Sequence, residues 1–214
     1  MKTKHLRLMQ RVYIILFFCF MYLPIAYMIV FSFNQSKGYS LFTGFTFKWY
    51  RSLFTNASTL HALWVSVEVA VLSAIIATVL GTAASLGIAS MSRKSRLLVT
   101  NITYIPVVNP EIITGISLML AFIAFGVSLG FKTVLIAHIT FNIPYVILSV
   151  MPRLKQLNPS VYEAALDLGA SPWQAFFKVV FPDLLPGVMS GFLMAFTMSL
   201  DDFIITHFTK GPGV

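Results

Sequence analysis

Residues 12–33 read VYIILFFCFMYLPIAYMIVFSF, a run of 22 positions without a charged side chain. An α-helix rises about 1.5 Å per residue, so about 20 apolar residues cross the hydrocarbon core of a bilayer. Basic residues precede the run, as in a secretory signal, but the apolar part is too long and lacks a small-residue cleavage site. We therefore expect an uncleaved first membrane helix.

The same pattern recurs along the chain. Hydrophobic residues make up 57% of the 214 residues and charged residues 10%, whereas roughly a quarter of a soluble domain is charged. Further apolar stretches cover 69–90, 97–131, 133–151 and 184–200. We expect the stretch 97–131 to break near 126–130, and the last stretch to continue past Asp201 and Asp202 towards Phe208. The sequence predicts an all-α, polytopic transmembrane helix bundle with five spans.

The distribution of basic residues predicts the orientation of the bundle. A cytoplasmic N-terminus places ten of the 15 lysines and arginines inside: Lys2, Lys4, Arg7, Arg11, Arg93, Lys94, Arg96, Arg153, Lys155 and Lys178. The others fall outside: Lys37, Lys48, Arg51, Lys132 and Lys210. Because cytoplasmic loops carry the excess of basic residues, we expect the N-terminus in the cytoplasm, although Lys48 and Arg51 together oppose this. Membrane orientation also explains the net charge of +8 without a nucleic-acid partner.

Two local patterns concern packing. Small residues recur every four positions at Ala77, Gly81, Ser85 and Ala89, and again at Gly187 and Gly191. Such spacing lets membrane helices approach closely, which favours a bundle. Between the first two spans, Phe45, Trp49 and Tyr50 suit either an interfacial helix or a small extracytoplasmic packing cluster.

The loop 152–182 is the one sizeable inside loop in this orientation, and it carries helix-start signals. Asn158 precedes a proline, and Ser160 with Glu163 forms a capping-box pattern. Gly169 is a stop signal for the helix that follows. We therefore expect a first short helix that ends at this glycine.

A second short helix is predicted in the same loop. Ser171 and Gln174 repeat the capping pattern, and we expect Pro182 to end this helix. Phe176 and Phe177 give it an aromatic side. A shaped, partly hydrophobic loop is typical of a docking surface for another protein.

These residues carry a family resemblance. Glu163-Ala164-Ala165 is followed by Gly169 and, after nine intervening residues, by Val179-x-Phe181-Pro182, which resembles the EAA signature of ABC importer permeases. The segments FTFKWY at 45–50, PEI at 110–112, HITF at 138–141 and SLDD at 199–202 are similar to the C-type permease of spermidine/putrescine importers. The resemblance implies the transmembrane permease subunit of an ATP-driven importer, with residues 1–214 as one permease domain.

The resemblance also implies the partners. In the family the EAA helices insert into a cleft of a separate ATP-binding subunit. By this resemblance, the residues expected to couple the two subunits are Glu163, Ala164, Ala165, Gly169 and Pro182. A second permease subunit as heterodimer partner, an extracytoplasmic substrate-binding protein and a polyamine substrate are implied too. The expected location of the chain is the inner or plasma membrane of a bacterium. ATP would be bound by the partner subunit, and no cofactor is expected in this chain.

Relatives continue after the region of Gly211 and Pro212 into a loop and a sixth span. We therefore expect a permease domain that lacks the last helix of the family, either because the sequence is truncated or because the helix is absent. A non-transporting membrane scaffold stays open on the same ground.

Four acidic residues lie in or beside apolar spans. A carboxylate near a helix centre costs roughly 2.5–3.5 kcal/mol on insertion scales and usually faces a pathway or a partner. Asp201 and Asp202 lie about 100° apart around a helix, so one can face a pore and the other a neighbouring helix. With Glu111, they are the expected pathway residues for a polycationic substrate. Glu111 also suits a helix start after Asn109-Pro110, and for Glu68 a place at the interface is favoured.

Other functions are disfavoured by the residues present. The chain has no Gly-x-x-x-x-Gly-Lys-Ser/Thr loop for ATP and no cysteine or histidine cluster with metal-ligand spacing. An intramembrane aspartyl protease would need facing carboxylates, which neighbours on one helix do not provide. We expect no catalytic residue and no metal site. Import of iron, sulfate or another small solute stays an alternative to polyamines.

Overall fold

The computed structural model describes residues 2–212, and the side chains of residues 2–6, 8 and 159 lie outside the description. Lys2 and Lys4, which enter the orientation argument, are among them, and residues 1, 213 and 214 of the expected domain also fall outside. Over the described range the chain is helical and has no β-strand, which confirms the all-α prediction. The helices are α1 (Lys2–Phe31), α2 (Lys48–Thr55), α3 (Ala57–Ser90), α4 (Arg93–Val108), α5 (Glu111–Ala124), α6 (Phe131–Gln156), α7 (Pro159–Asp167), α8 (Pro172–Ala175), α9 (Phe181–Asp201) and α10 (Ile204–Thr209), with a π-helical turn over Phe176–Val180 between α8 and α9.

The chain divides into two compact units, Met1–His61 and Ala62–Val214. In the first unit, α1 holds the predicted first span, and the membrane-compatible part covers Met9–Phe31. The described side chains of α1 are exposed as far as Val30. A helix that is apolar all round and exposes these side chains suits a lipid environment.

The aromatic residues after α1 form a packing cluster. The ring of Phe33 stacks on the rings of Phe45 and Tyr50, with centroid distances of 5.2 and 5.1 Å. The indole Nε1 of Trp49 donates a hydrogen bond to the backbone oxygen of Asn34 at 2.8 Å. The rings therefore pack on one another, and Trp49 and Tyr50 also lie on helix α2, so the two arrangements left open by the sequence are compatible.

Asn34 organises the loop that carries this cluster. Its side chain is fully buried, and its Nδ2 donates to the backbone oxygens of Gly38 and Leu41 at 3.0 and 2.8 Å. Its Oδ1 accepts from the backbone N–H of Thr43 at 2.8 Å. One amide thereby satisfies three backbone groups of an irregular segment, which fixes the loop.

In the second unit, small residues bring α3 and α9 against α6. A Cβ added to Gly81 would lie 2.7 Å from the side chain of Val146, and one added to Gly191 would lie 3.2 Å from it. A Cβ at Gly187 would lie 3.0 Å from the Cβ of Arg153. The close approach confirms the prediction made from the small-residue spacing.

This contact predicts a stability difference between two glycines of α3. We expect Gly81→Ala to lower the thermal unfolding midpoint of the detergent-purified chain, because overpacking costs about 1–3 kcal/mol. Gly87→Ala is the matched control, since no atom lies within 4 Å of its added Cβ and alanine favours the helix. Equal midpoints for the two variants would contradict the close contact at Gly81.

Four helical segments of the described chain are long and apolar enough to cross a membrane, and a bent pair, α4 with α5, brings the number to five. The bend is 104°, so the prediction of one stretch over 97–131 is wrong in part: the chain turns between Val108 and Glu111. Asn109 is extended, at φ −72° and ψ 142°, because the proline after it disfavours the helical conformation. The predicted break near 126–130 is confirmed, since α5 ends at Ala124 and Gly126 has φ +70°.

The last apolar region differs from the prediction at both ends. Pro182 does not end a helix, because Pro172–Asp201 forms one helical segment that contains it. The π-helical turn over Phe176–Val180 ends two residues before Pro182, and the N–H of Phe181 is bonded to the oxygen of Phe176. This wider turn accommodates a proline, which has no backbone N–H to donate. At the other end α9 stops at Asp201 and Asp202 is extended, so the single helix expected to run on towards Phe208 is two helices.

Candidate functional site

The loop 152–182 folds as the capping signals predict. Helix α7 starts after Asn158, whose Oδ1 accepts from the backbone N–H of Ser160 at 3.1 Å. Glu163 lies within the helix, so the alternative start at Ser160 is not used. Gly169 has φ +87°, a conformation that residues with a Cβ rarely adopt, and the chain leaves the helix there.

Helix α8 is short and is capped at its N-terminus. The Oγ of Ser171 accepts from the backbone N–H of Gln174 at 3.3 Å, and the Oε1 of Gln174 accepts from the N–H of Ser171 at 3.0 Å. This is the predicted capping box. The π-helical turn then carries the chain directly into α9, so α8 and the span α9 form one continuous segment.

The two short helices expose a surface of mixed character, which we call the loop surface: Glu163, Ala164, Leu168, Gly169 and Trp173. All five residues are exposed, with Leu168 and Trp173 exposed by 89% and 74%. The ring of Trp173 stacks on that of Phe177 at 5.7 Å. Ala165 is half-buried, and Pro182 is exposed on α9 rather than on α7. The structure thus places four of the five predicted coupling residues on or directly after one helix.

An apolar cavity and one hydrogen bond lie where the loop 152–182 meets the bundle. Leu157, Val161 and Phe176 belong to the lining of a cavity of about 330 Å³ between the end of α6, α7 and the π-helical turn. The Nε of Arg153 on α6 donates to the backbone oxygen of Asp183 at 2.9 Å. The hydrogen bond joins α6 to α9, and α7 faces the end of α6 across this cavity.

The three predicted pathway carboxylates each lie at a break between helices. Glu111 is the first residue of α5, directly after the bend, which confirms the predicted helix start. Asp201 is the last residue of α9, and Asp202 lies between α9 and α10. Glu111 and Asp201 are exposed, whereas the side chain of Asp202 is only 1% exposed. Irregular backbone at membrane depth requires protein or water around it, so such breaks are typical of transport pathways.

Asp202 is fixed by the start of α10. Its Oδ1 accepts from the backbone N–H of Ile205 at 3.3 Å and its Oδ2 from that of Thr206 at 3.1 Å. The Oδ2 also lies 3.5 Å from the Nε2 of His138. The carboxylate therefore caps a short helix and contacts α6, while Asp201 is exposed. Because Asp202 is extended, the two residues do not lie on one helix, and the expected spacing of about 100° does not apply to them.

His138 is the residue that the sequence-based prediction missed. Its Nδ1 lies 2.7 Å from the Oγ of Ser199 and its Nε2 2.8 Å from the Oγ1 of Thr206. The Oγ of Ser73 on α3 continues this network, since it donates to Ser199 at 3.0 Å. The buried imidazole thus joins α6 to α9 and α10. The partners lie 61 and 68 residues away in the chain, so local spacing gave no signal for this contact.

Helix α10 packs on α5, and this contact relates the two breaks. A Cβ added to Gly115 would lie 3.1 Å from the ring of Phe208 and 3.4 Å from the Cα of Ile205. Glu111 lies about one turn before Gly115 on the same helix. Helices that begin directly after each break are therefore neighbours.

Among residues 2–212, no group of three or more histidine, cysteine or acidic side chains is placed to hold a metal ion. The facing pair of carboxylates that an aspartyl protease needs is not formed by Asp201 and Asp202, because one is exposed and the other contacts His138.

The family model described as "Binding-protein-dependent transport system inner membrane component" matches residues 77–214. The chain belongs to this family. As a binding-protein-dependent permease, it is similar to the putrescine transport system permease protein PotI of Escherichia coli K12, with 37% identity over 210 residues, 94% of this chain and 74% of PotI. The permease is also similar to two spermidine/putrescine permease proteins named PotC. The E. coli K12 protein is 35% identical over 206 residues (96% and 78% of the two chains), and the Haemophilus influenzae protein 33% over 203 residues (95% and 79%).

Family membership and the apolar helices together make the chain a multi-pass membrane protein and a transport permease. This confirms the resemblance drawn from the EAA pattern at 163–165. The relatives are transport permeases rather than enzymes.

Proposed function

We propose that this permease carries polyamines, putrescine or spermidine, in an ATP-driven importer of a bacterial cell membrane. The observation that carries the proposal is that Glu111, Asp201 and Asp202 all lie at breaks between helices. The helices that begin after the two breaks, α5 and α10, pack on each other. Carboxylates suit a substrate that carries two or more positive charges. The apolar stretches contain no lysine or arginine, which an anionic cargo such as sulfate would favour. The relatives named for putrescine and spermidine support the same cargo.

In this proposal the loop surface docks on a separate ATP-binding subunit. Glu163, Ala164, Ala165, Gly169 and Pro182 are the coupling residues, and the loop 152–182 is the coupling element of one permease domain over 1–214. The continuous segment from α8 into α9 offers a mechanical connection, because α9 ends at Asp201. Movement of α8 by the ATPase would thereby reach the end of the span that carries the pathway carboxylates.

The remaining partners follow from the family. The permease pairs with a second permease subunit as a heterodimer and receives substrate from an extracytoplasmic binding protein. The N-terminus lies in the cytoplasm, which places the loop surface on the side of ATP. ATP is hydrolysed by the partner, and this chain contributes no catalytic residue and binds no nucleic acid.

Uptake by the reconstituted complex tests the cargo. Proteoliposomes containing the permease, its second permease subunit and the ATPase are given the binding protein with labelled putrescine or spermidine. We expect ATP-dependent accumulation of polyamine, competed by unlabelled polyamine and not by sulfate or ferric iron. Accumulation of sulfate or ferric iron without accumulation of polyamine would contradict the proposed cargo. An assembled complex that moves no solute would favour the scaffold alternative.

A further inference from the structure

The first compact unit carries cations without a single acidic side chain. No aspartate or glutamate occurs before Glu68, so no lysine or arginine of Met1–His61 has a carboxylate partner within the unit. Two of these cations, Lys48 and Arg51, are the residues that oppose the orientation rule. Basic residues on the translocated side work against correct orientation, so their presence there calls for another role.

Lys48 and Arg51 open onto a cleft beside α2. The two residues are three positions apart, which places them on neighbouring positions of one helix face. The cleft has a volume of about 520 Å³ and is lined by Thr46, Phe47, Lys48, Arg51, Ser52 and Thr55. We call this the α2 cleft. An ammonium group, a guanidinium group and three hydroxyls form a donor set that suits phosphate oxygens.

Aromatic rings around the α2 cleft indicate its depth in the membrane. Phe45, Phe47 and Phe54 are exposed by 64%, 62% and 70%. Along the chain, the segment that carries these rings follows α1 and precedes α3, and both helices are membrane-compatible. Aromatic residues concentrate at the level of the lipid headgroups, and long basic side chains extend towards that level. A phosphate at this depth belongs to a phospholipid.

We propose that the α2 cleft binds the phosphate of an anionic phospholipid, such as phosphatidylglycerol, with its acyl chains along the exposed phenylalanine rings. The absence of any acidic residue from the unit favours an anionic lipid over a zwitterionic one. A phospholipid at this depth contacts the cations with its headgroup and the rings with its acyl chains, so one ligand accounts for both features of the cleft. This site is independent of the polyamine pathway.

The test uses soluble, short-chain lipids and the full chain purified in detergent. Dioctanoyl phosphatidylglycerol and dioctanoyl phosphatidylcholine are titrated, with the fluorescence of the permease as the readout. Trp49 is a natural probe, because the Nζ of Lys48 lies 5.5 Å from its ring centroid. We expect about tenfold tighter binding of the anionic lipid at low salt, and a smaller preference at high salt.

The double variant Lys48→Ala/Arg51→Ala should lose this preference to within about twofold, whereas Lys48→Arg/Arg51→Lys should keep it. The charge-matched control is Lys132→Ala/Lys210→Ala, which removes two exposed cations from the second unit and should bind as the wild type does. Thermal midpoints show whether each variant is folded. No preference in the wild type, or equal loss in the control, would overturn the proposal.

Two further outcomes identify another occupant and also overturn it. If glycerol 3-phosphate displaces the short-chain lipid as well as unlabelled lipid does, the cleft is a site for a soluble phosphate compound rather than for a phospholipid. If the double variant keeps its lipid preference but no longer binds the substrate-binding protein, the α2 cleft is a protein-docking surface.

Discussion

Glu163→Ala should lower ATP-driven polyamine uptake by at least about tenfold while the complex still hydrolyses ATP. Glu163 is exposed on α7 and makes no hydrogen bond through its side chain among the described residues, so its removal leaves the fold of this chain intact. Truncating a central contact residue of a protein interface costs about 2 kcal/mol or more, and about 1.4 kcal/mol corresponds to a factor of ten. The measurement is uptake and hydrolysis in the same proteoliposomes, together with co-purification of the ATPase.

Asp183→Ala is the matched control for this variant. Asp183 is an exposed carboxylate at the start of α9. Among the described residues its side chain makes no hydrogen bond, and its backbone oxygen accepts from Arg153. We expect uptake close to that of the wild type. Normal uptake with Glu163→Ala would remove Glu163 from the docking surface, and equal loss in both variants would show a general effect of negative charge.

Gly169→Val addresses the same surface through the backbone. The glycine has φ +87° and nothing lies within 4 Å of an added Cβ, so the strain comes from the backbone conformation alone. A side chain in this conformation costs about 1–2 kcal/mol and shifts the end of α7. Because the shape of the turn contributes to docking, we expect Gly169→Val to lower uptake, but by less than Glu163→Ala does. Uptake equal to that of the wild type would show that the shape of the turn does not contribute.

The parts of this structure that the sequence predicted are those set by neighbours in the chain. Apolar length predicted the spans, and the caps at Asn158 and Ser171 were predicted because a capping side chain bonds to a backbone group two or three residues away. Gly169 ends α7 for an equally local reason. The same locality explains why the loop 152–182 was the most predictable part of the candidate site.

The parts that were missed depend on distant contacts or on competition between local signals. Asn109-Pro110 was recognised as a helix start, yet the apolar run through it predicted one stretch where the structure has a bend of 104°. The contacts of His138 join residues more than 60 positions apart. Pro182 was predicted to end a helix because proline usually does, and the π-helical turn that accommodates it has no known signal in the sequence.

The second large effect concerns the two neighbouring aspartates, of which the structure exposes Asp201 and buries the side chain of Asp202. Asp201→Asn should raise the KM for spermidine uptake by about tenfold or more, because a hydrogen bond to a charged group contributes about 1.5–3 kcal/mol. Its side chain is exposed at the end of α9, and removal of the charge leaves the protein contacts unchanged. Uptake kinetics over a range of spermidine concentrations measure this effect.

Asp202→Ala should instead lower the thermal stability of the permease. Its carboxylate accepts from two backbone N–H groups of α10 and lies beside His138, and the loss of these contacts leaves buried donors unsatisfied. Each unsatisfied buried group costs about 1–3 kcal/mol. Asp202→Asn keeps an acceptor oxygen at the same place, so we expect a smaller loss of stability and a KM closer to that of the wild type than with Asp201→Asn.

Glu68→Gln is the control that tests whether the effect of a carboxylate on the KM depends on its position at a helix break. Glu68 is an exposed carboxylate of the second unit, but it lies within the unbroken helix α3. If carboxylates act on the polyamine only where irregular backbone opens a pathway, Glu68→Gln leaves the KM unchanged while Asp201→Asn raises it. A raised KM in Glu68→Gln as well would mean that the negative field of the spans attracts the cation. A raised KM in Asp202→Asn alone would transfer the contact with the substrate to the carboxylate beside His138.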